Sequence, residues 1–403
     1  MVKPCWARVS GPLEPYAAGL RAELERLGYT RLSAAGHVRL VAHLSRWMAS
    51  RKVMASGLTP TVVDAYFADR RATGYTNSLT RRSVRWLLDY LQHVGVLAPQ
   101  LPPVPTTPAG QVLARFRAYL LTERGLAAST AELNVRLASQ FLDDRSRADG
   151  QLELESLGAA AINAFVVSWG GLWPRSVGKM VTALRSLLRF LHVGGVICHP
   201  LAVPSVASWK LAALPKALSA GQLTALLAAC DRSTATGCRD YAILLLLSRL
   251  GLRAGEVATL GLDDVDWRHG EITVRGKANR YDRLPLPADV GVAIVDYLRT
   301  ARPASALDRT VFVRAQAPYR SLTSGGVTTI VSIIGCRCGL GPIHAHRLRH
   351  TAATSMLAAG GSLPEIGQVL RHQRVLTTAI YAKVDHERLR DLARPWPTAE
   401  AAV

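Results

Sequence analysis

The sequence predicts a mainly α-helical protein with one small antiparallel β-sheet in its C-terminal domain. Apolar residues recur three and four positions apart over most of the chain, as Leu184, Leu187 and Leu191 do, and that spacing places them on one face of a helix. Residues 270–286 (GEITVRGKANRYDRLPL) instead contain two short β-type segments around a charged turn, which predicts a β-hairpin. We therefore expect helical bundles, with the sheet confined to the last part of the chain.

Two proline-rich stretches, residues 98–110 and 199–219, interrupt the helical pattern. Proline removes a backbone donor and favours extended chain, so such stretches are typical of linkers. They predict an N-terminal helical domain at 1–98, a second helical domain at 109–203 and a third domain at 216–403.

The first two predicted domains resemble each other in sequence. The segment RWLLDYLQHVGVL (85–97) aligns with RSLLRFLHVGGVI (185–197) at an offset of 100 residues, and further matches occur at offsets of 97 and 99. Gly95 and Gly195 follow equivalent predicted helices. This pattern favours a duplicated domain, although two small helical bundles can also look alike without common origin.

Local signals predict several element boundaries in the third domain. Ser219 is a helix-start signal, and Ser362 with Glu365 forms an S-x-x-E capping box. Residues 240–251 (DYAILLLLSRLG) indicate a buried helix, and residues 386–394 indicate a further helix close to the C-terminus.

The net charge of +20 is the first indication of function. A chain this basic attracts polyanions, and phosphate contacts supply most of the affinity of proteins for nucleic acids. The alternative is that arginine is simply abundant in this protein. An anionic membrane surface is a weaker explanation, because no polybasic cluster adjoins an amphipathic anchor.

Composition also bears on compartment. No apolar run reaches the length needed to cross a bilayer, and the first 15 residues lack the apolar core of a secretion signal. The six cysteines are scattered, which gives no sign of an oxidising environment. We expect a cytoplasmic, nucleoid-associated protein without a membrane partner.

The densest group of titratable residues lies in HAHRLRHTAATSMLAAGG (344–361). A metal site, a nucleic-acid-binding face and a catalytic phosphate clamp all fit such a cluster. His346 and His350 have the spacing of the zinc motif H-E-x-x-H, but Arg347 replaces its glutamate. The other candidate, C-x-C-x5-H-x-H at 336–346, has an unusual spacing, so we expect neither a metal nor another cofactor.

Several segments between residues 216 and 390 occur in a characteristic order: SRLGLRAGEVATLGLDDVDW, GEITVRGKANRYDRLPLP, HRLRHTAATSMLAAG, LPEIGQVLRH and TTAIY. Together they resemble the tyrosine recombinase, or phage integrase, family, and residues 109–203 resemble the core-binding domain of that family. The resemblance implies a metal- and ATP-independent recombinase of double-stranded DNA, acting through a 3′-phosphotyrosyl intermediate. It also implies a homotetramer on synapsed DNA, with a monomer or dimer when free, partner recombinases as further candidates and a mobile element as the setting.

The resemblance assigns the site residues by position. The expected catalytic residues are Arg253, Lys277, His346, Arg349, His372 and Tyr381, and the supporting residues are Glu256 and His350. Arg371 departs from the family pattern, since a glycine usually precedes the second histidine. His344 and Arg347 are interpreted as a solvated or DNA-facing edge.

The chemistry of the expected reaction requires these residue types. Two arginines can hold the oxygens of a phosphodiester with permanently charged forks, and a tyrosine oxygen can form a covalent intermediate. His346 is expected to accept the tyrosine proton, and His372 to donate a hydrogen bond to the phosphate. Lys277 is expected to protonate the leaving 5′ oxygen, and it is the sole lysine between Lys216 and Lys383 in a chain that otherwise uses arginine.

Two other classes remain as alternatives. A type IB topoisomerase shares the same catalytic residue types, although the duplicated helical arm and the LRH…TTAIY segment argue against it. A non-catalytic DNA-binding architectural protein is the second alternative, and the presence of every expected catalytic residue argues against that one. The N-terminal domain at 1–98 is expected to bind additional DNA or to make protein contacts.

Overall fold

The structure, a computed structural model, describes residues 6–99, 105–147, 149–154, 157–206, 217–276, 280–372, 378, 380 and 381. The chain groups into two compact units, one of Met1–Pro99 with Leu214–Val403 and one of Gln100–Ala213. Three large apolar cores are separate from one another, and each belongs to one of the three predicted domains. The domain boundaries themselves stay a prediction. No helix within the described ranges is long and apolar enough to cross a membrane.

The N-terminal part is a bundle of four helices. They are α1 (Ala17–Arg26), α2 (Arg31–Ser50), α3 (Pro60–Ala72) and α4 (Arg81–His93). The side chains of Thr30 and Thr59 accept backbone N–H groups at the starts of α2 and α3, which explains why these helices begin where they do. Buried leucine, valine and aromatic side chains form its core.

The second unit is also a four-helix bundle. Its helices are α5 (Pro108–Thr122), α6 (Ala128–Asp144), α7 (Ala159–Leu172) and α8 (Val177–Val193). Both bundles leave their last helix in the same way: Gly95 and Gly195 have φ of +76° and +71°, and the following N–H bonds back to Leu91 or Leu191 at 2.9 Å. This shared exit supports the predicted duplication.

The C-terminal part combines helices with the sheet. Its helices are α9 (Ala220–Ala228), α10 (Ala235–Arg249), α11 (Ala254–Thr259), α12 (Ala288–Asp296), α13 (Ser324–Arg337), α14 (Ala345–Ala358) and α15 (Leu363–Val369). Strands β1 (Val265–Asp266), β2 (Glu271–Arg275) and β3 (Tyr281–Pro285) lie in the order β1-β2-β3 and pair antiparallel. The described residues are therefore mostly helical with one small antiparallel sheet, which confirms the predicted fold class.

The hairpin and the helix starts follow the sequence signals. Strands β2 and β3 pair from Glu271 opposite Pro285 to Arg275 opposite Tyr281, while the turn at 277–279 lies outside the described residues. The capping boxes at Ser219 and Ser362 both form, with Gln222 and Glu365 as their partners. The helix predicted at 386–394 also lies outside the described residues.

Candidate active site

The predicted site residues come from four separate elements of the C-terminal part. Arg253 and Glu256 stand at the start of α11, while His346, Arg349 and His350 lie on α14. His372 follows the end of α15, and Tyr381 packs against α14 and α15 within the same chain. Lys277 belongs to the turn outside the described residues.

Arg349 is the buried centre of the site, with its side chain 1% exposed. Its guanidinium donates to the carbonyl oxygens of Gly251 and Leu370, so it ties the loop after α10 to the end of α15. A guanidinium carries five N–H groups in a planar fork, and these two carbonyls engage only two of them. The fork therefore keeps donors for an anion.

Gly251 allows this close approach. Its φ is +59°, a left-handed conformation that a residue with a side chain rarely adopts. A Cβ atom at this position would stand 2.5 Å from Leu370 Cδ2 and 3.8 Å from Arg349 Cγ. Glycine thus lets the backbone carbonyl reach the arginine.

Arg253 is the more accessible arginine, with 42% of its side chain exposed. Its Nη1 lies 2.6 Å from Glu256 Oε1, and its backbone N–H donates to Glu256 Oε2 at 2.7 Å. Glu256 is buried, so this carboxylate fixes both the main chain and the guanidinium of Arg253. Arg253 and Glu256 thus form an i, i+3 ion pair that also makes the helix cap of α11.

Tyr381 is buried, and its hydroxyl meets a histidine. His350 Nδ1 lies 2.9 Å from Tyr381 Oη, and the ring of His346 packs edge-on against His350 with a centroid distance of 4.4 Å. The expectation gave His346 the contact with the tyrosine and His350 a supporting role. In the structure the contact belongs to His350, because i, i+4 spacing on α14 carries that ring one turn deeper than the exposed His346.

His372 has a defined partner of its own. Its Nδ1 lies 2.8 Å from Thr378 Oγ1, and its ring is parallel to that of Tyr381 at a centroid distance of 6.4 Å. Thr378 is itself buried. One ring nitrogen is therefore held by the hydroxyl, which leaves the other ring nitrogen for a further contact.

The local environment keeps the histidines neutral and the arginines charged. Burial, followed by the neighbouring His346 and Arg349, lowers the pKa of His350 to about 4. For His372, burial and then the charges of Arg349 and Arg253 lower the pKa to about 4 as well. Burial, followed by the charge of Arg253, lowers the pKa of Arg349 only to about 10, so that residue remains a cation at neutral pH.

The pKa values of Tyr381 and His346 are shifted for related reasons. Burial raises the pKa of Tyr381, while the nearby Arg349 acts in the opposite direction. Loss of hydration, and then the charges of Arg349 and Arg253, holds the pKa of His346 below its usual value. At neutral pH the site therefore combines a protonated tyrosine, neutral histidines and a group of fixed positive charges.

Sequence reasoning missed two members of this site. Arg371 was identified only as a departure from the family pattern, but its buried side chain pairs with Glu256 at 2.6 Å. Thr378 was not singled out as a site residue in the sequence, but it is the partner of His372. Its position three residues before Tyr381 was the available signal.

A metal centre does not form within the described part of the chain, where no group of three or more histidine, cysteine or acidic side chains is arranged to hold an ion. The site is instead a group of arginines near a tyrosine hydroxyl, with neutral histidines next to it. Such an arrangement binds an anion and can transfer a phosphoryl group to oxygen. This helical fold, with arginines, histidines and a tyrosine hydroxyl gathered in one place, matches the class of protein expected from the sequence.

Comparisons with known proteins agree with this class. The model of the phage integrase family matches residues 216–388. The putative integrase/recombinase y4rA of Sinorhizobium fredii is 39% identical over 396 residues, which cover 96% of this chain and 95% of that protein. Tyrosine recombinase XerD of Listeria monocytogenes is 31% identical over 282 residues, which cover 69% of this chain and 95% of that protein.

A solved structure has the same fold. The XerH site-specific recombinase in a post-cleavage complex with its difH substrate matches with a TM-score of 0.56 and 19% identity, covering 83% of this chain and 95% of that one. The chain belongs to the phage integrase, or tyrosine recombinase, family. It is an enzyme of DNA recombination, and its relatives do not favour the topoisomerase or architectural alternatives.

Proposed function

We propose that Tyr381 is the nucleophile of a site-specific DNA recombinase and that Arg253 and Arg349 hold the scissile phosphate. The observation that carries this proposal is the position of Tyr381 Oη, 2.9 Å from a neutral histidine and beside the buried fork of Arg349. In the reaction the tyrosine oxygen forms a bond to phosphorus while the bond from phosphorus to the 5′ oxygen breaks. The DNA 3′ end then stays on the protein as a phosphotyrosine.

Arg253 and Arg349 stabilise the charge of the phosphate in different ways. Arg253 is partly exposed and can meet a non-bridging oxygen as the DNA arrives, whereas Arg349 is already fixed by two carbonyls. Charge that develops on the phosphate oxygens is stabilised most strongly by donors that need no reorganisation, and Arg349 is such a donor.

Proton movements follow from the neighbours of each oxygen. His350 is neutral at pH 7 and touches the tyrosine hydroxyl, so it can accept the proton that leaves during attack. His346, exposed at the mouth of the site, and His372, held by Thr378, can then donate to the phosphate oxygens. Lys277 would give a proton to the leaving 5′ oxygen, as the family pattern implies.

The second unit offers a face for the DNA backbone. Arg175, Lys179 and Arg185 line a cleft between α6 and α8 together with Asn134. Positive charge along a groove of this kind supplies sequence-independent affinity through phosphate contacts. We propose that this face binds the DNA backbone, and that a homotetramer joins two duplexes of a mobile element in the bacterial cytoplasm.

Trapping the covalent intermediate tests the proposal. The probe is a pool of nicked duplexes with randomised core sequence, in which the nick releases the 5′ fragment and prevents religation. On a denaturing gel the intact chain should give a DNA–protein adduct, and Tyr381→Phe should give none. His344→Gln is the control, because His344 is an exposed residue at the start of α14 and its side chain makes no cap hydrogen bond. An adduct that persists in Tyr381→Phe would overturn the assignment.

A further inference from the structure

Arg371 occupies a backbone position that normally suits glycine. Its φ is +55°, its N–H donates to the Gln368 carbonyl at 2.9 Å, and the N–H of His372 donates to the Gly367 carbonyl at 2.9 Å. This is the left-handed exit of a helix, where a side chain costs free energy that glycine avoids. Contacts of the arginine side chain have to offset that cost.

Those contacts point into the protein. Arg371 Nη2 lies 2.6 Å from Glu256 Oε2, and only 6% of the Arg371 side chain and 5% of the Glu256 side chain are exposed. The Arg371 carbonyl oxygen in turn accepts a bond from Arg253 Nη2 at 3.3 Å. Arg253 and Arg371 therefore share one buried carboxylate, and they are also linked directly through the main chain.

A third element, strand β3, lies just beyond hydrogen-bond distance of Arg371. Arg371 Nε is buried and has no hydrogen-bond partner among the described residues, and it lies 3.9 Å from Asp282 Oδ2 on β3. An N–H···O bond needs about 2.9 Å, so a shift of the strand by about 1 Å would complete it. Asp282 belongs to the hairpin whose turn carries Lys277.

We propose that Arg371 is a positioning residue that locks Glu256 onto Arg253 and draws the β2–β3 hairpin toward the active site. It does not contact DNA, because its guanidinium faces the protein interior, whereas that of Arg253 is partly exposed. By this arrangement one side chain joins the start of α11 and the end of α15 to β3, the strand that follows the turn carrying Lys277. The inference rests on the proposed function, since it assigns how that site is held in place.

Single-turnover cleavage of the nicked pool, measured beside DNA affinity, tests the role. Arg371→Met removes the charge, and Arg371→Gly also relieves the backbone. Both variants should cleave at least about tenfold more slowly once DNA is bound, with a dissociation constant within about threefold of the unmodified chain. Arg371→Lys should recover part of the rate, because an ammonium can still reach Glu256 but cannot span to Asp282.

Two further variants give reference values for the loss of cleavage rate. Asp282→Asn should lower the rate less, by about threefold, since only the hairpin link is weakened. Arg283→Ala is the matched control, because Arg283 is the next residue on the same strand and is exposed. Rates within twofold of the unmodified chain for both Arg371→Met and Arg371→Gly would overturn the inference. So would a loss of DNA affinity that accounts for the whole loss of cleavage, because that result describes a phosphate contact.

An unfolding experiment separates this inference from the proposed function. The shifts in urea midpoint caused by Glu256→Gln and Arg371→Met should fall short of additive in the double variant, because both remove the same buried ion pair. Additive shifts would refute the shared contact whether or not the chain cleaves DNA. An unmodified chain that forms no adduct, together with non-additive shifts, would instead refute the proposed function alone.

Discussion

His350 Nδ1 lies 2.9 Å from the hydroxyl oxygen of Tyr381, which places a neutral base against the expected nucleophile. Four residues earlier on α14, His346 packs against the outer side of His350 and remains exposed. The helix thus presents the two histidines at different depths, one toward the tyrosine and one toward the mouth of the site. Within the titratable cluster of the sequence, His346 and His350 can therefore have separate roles.

Replacing His350 should slow attack without weakening DNA binding. We expect His350→Ala to reduce the rate of adduct formation about 100-fold, the usual loss when a positioned base is removed. His346→Ala should affect the step less, because that ring does not touch the hydroxyl. Single-turnover adduct formation at saturating protein measures both, with His344→Gln as control, and equal losses in the two variants would contradict the distinction.

Arg349 should matter for folding as well as for cleavage. Arg349→Ala leaves the buried carbonyls of Gly251 and Leu370 without donors, so we expect a loss of about 2–4 kcal/mol in the free energy of unfolding together with loss of cleavage. Urea denaturation measures the first quantity. Arg309→Ala is the control, since Arg309 pairs with Asp263 at the solvent-exposed surface and its loss should leave the urea midpoint nearly unchanged. Similar midpoints for the two variants would show that the carbonyl contacts contribute little.

Gly251 should tolerate no side chain. Gly251→Ala adds left-handed strain and a Cβ 2.5 Å from Leu370, so it should destabilise the fold by more than about 2 kcal/mol and displace the carbonyl that holds Arg349. Gly360→Ala is a matched control in the same part of the chain, because Gly360 has φ of +92° but open space around its Cβ position. The control should lose about 1 kcal/mol in the free energy of unfolding, from backbone strain alone, and its cleavage rate should be unchanged. If Gly251→Ala matches the control in stability and cleavage, the close packing around Gly251 does not matter as proposed.

Stability should fall as the solution is acidified. The folded-state pKa of His350 and of His372 is about 4, below the usual value near 6.5, so the unfolded chain binds more protons between these limits. The contribution is fully present above pH 6.5 and is lost as the pH falls toward 4. Urea midpoints measured from pH 7.5 to pH 4.5 should therefore decrease, and the decrease should be smaller in a His350→Gln, His372→Gln variant. An unchanged slope in that variant would place the titration elsewhere.

Much of the fold could be predicted because its signals are local. Apolar spacing, the helix start at Ser219 and the capping box at Ser362 depend on neighbouring residues, and each appears in the structure where the sequence indicates it. The alternation in residues 270–286 likewise gives the β2–β3 pair. The duplication was predicted from segments that align at a nearly constant offset, and Gly95 and Gly195 of those segments share a positive φ.

The sequence alone determined which chemistry is available: a tyrosine, several histidines and a set of arginines in a recognisable order. Only the tertiary structure decided which of them touch, because contacts such as Arg371 with Glu256, or His350 with Tyr381, join residues 115 and 31 positions apart. Such pairs leave no local periodicity, and their geometry depends on how α11, α14 and α15 pack. Burial, which also arises only on folding, then shifts the pKa of each group, so that His350 is neutral beside the Tyr381 hydroxyl while Arg349 stays charged.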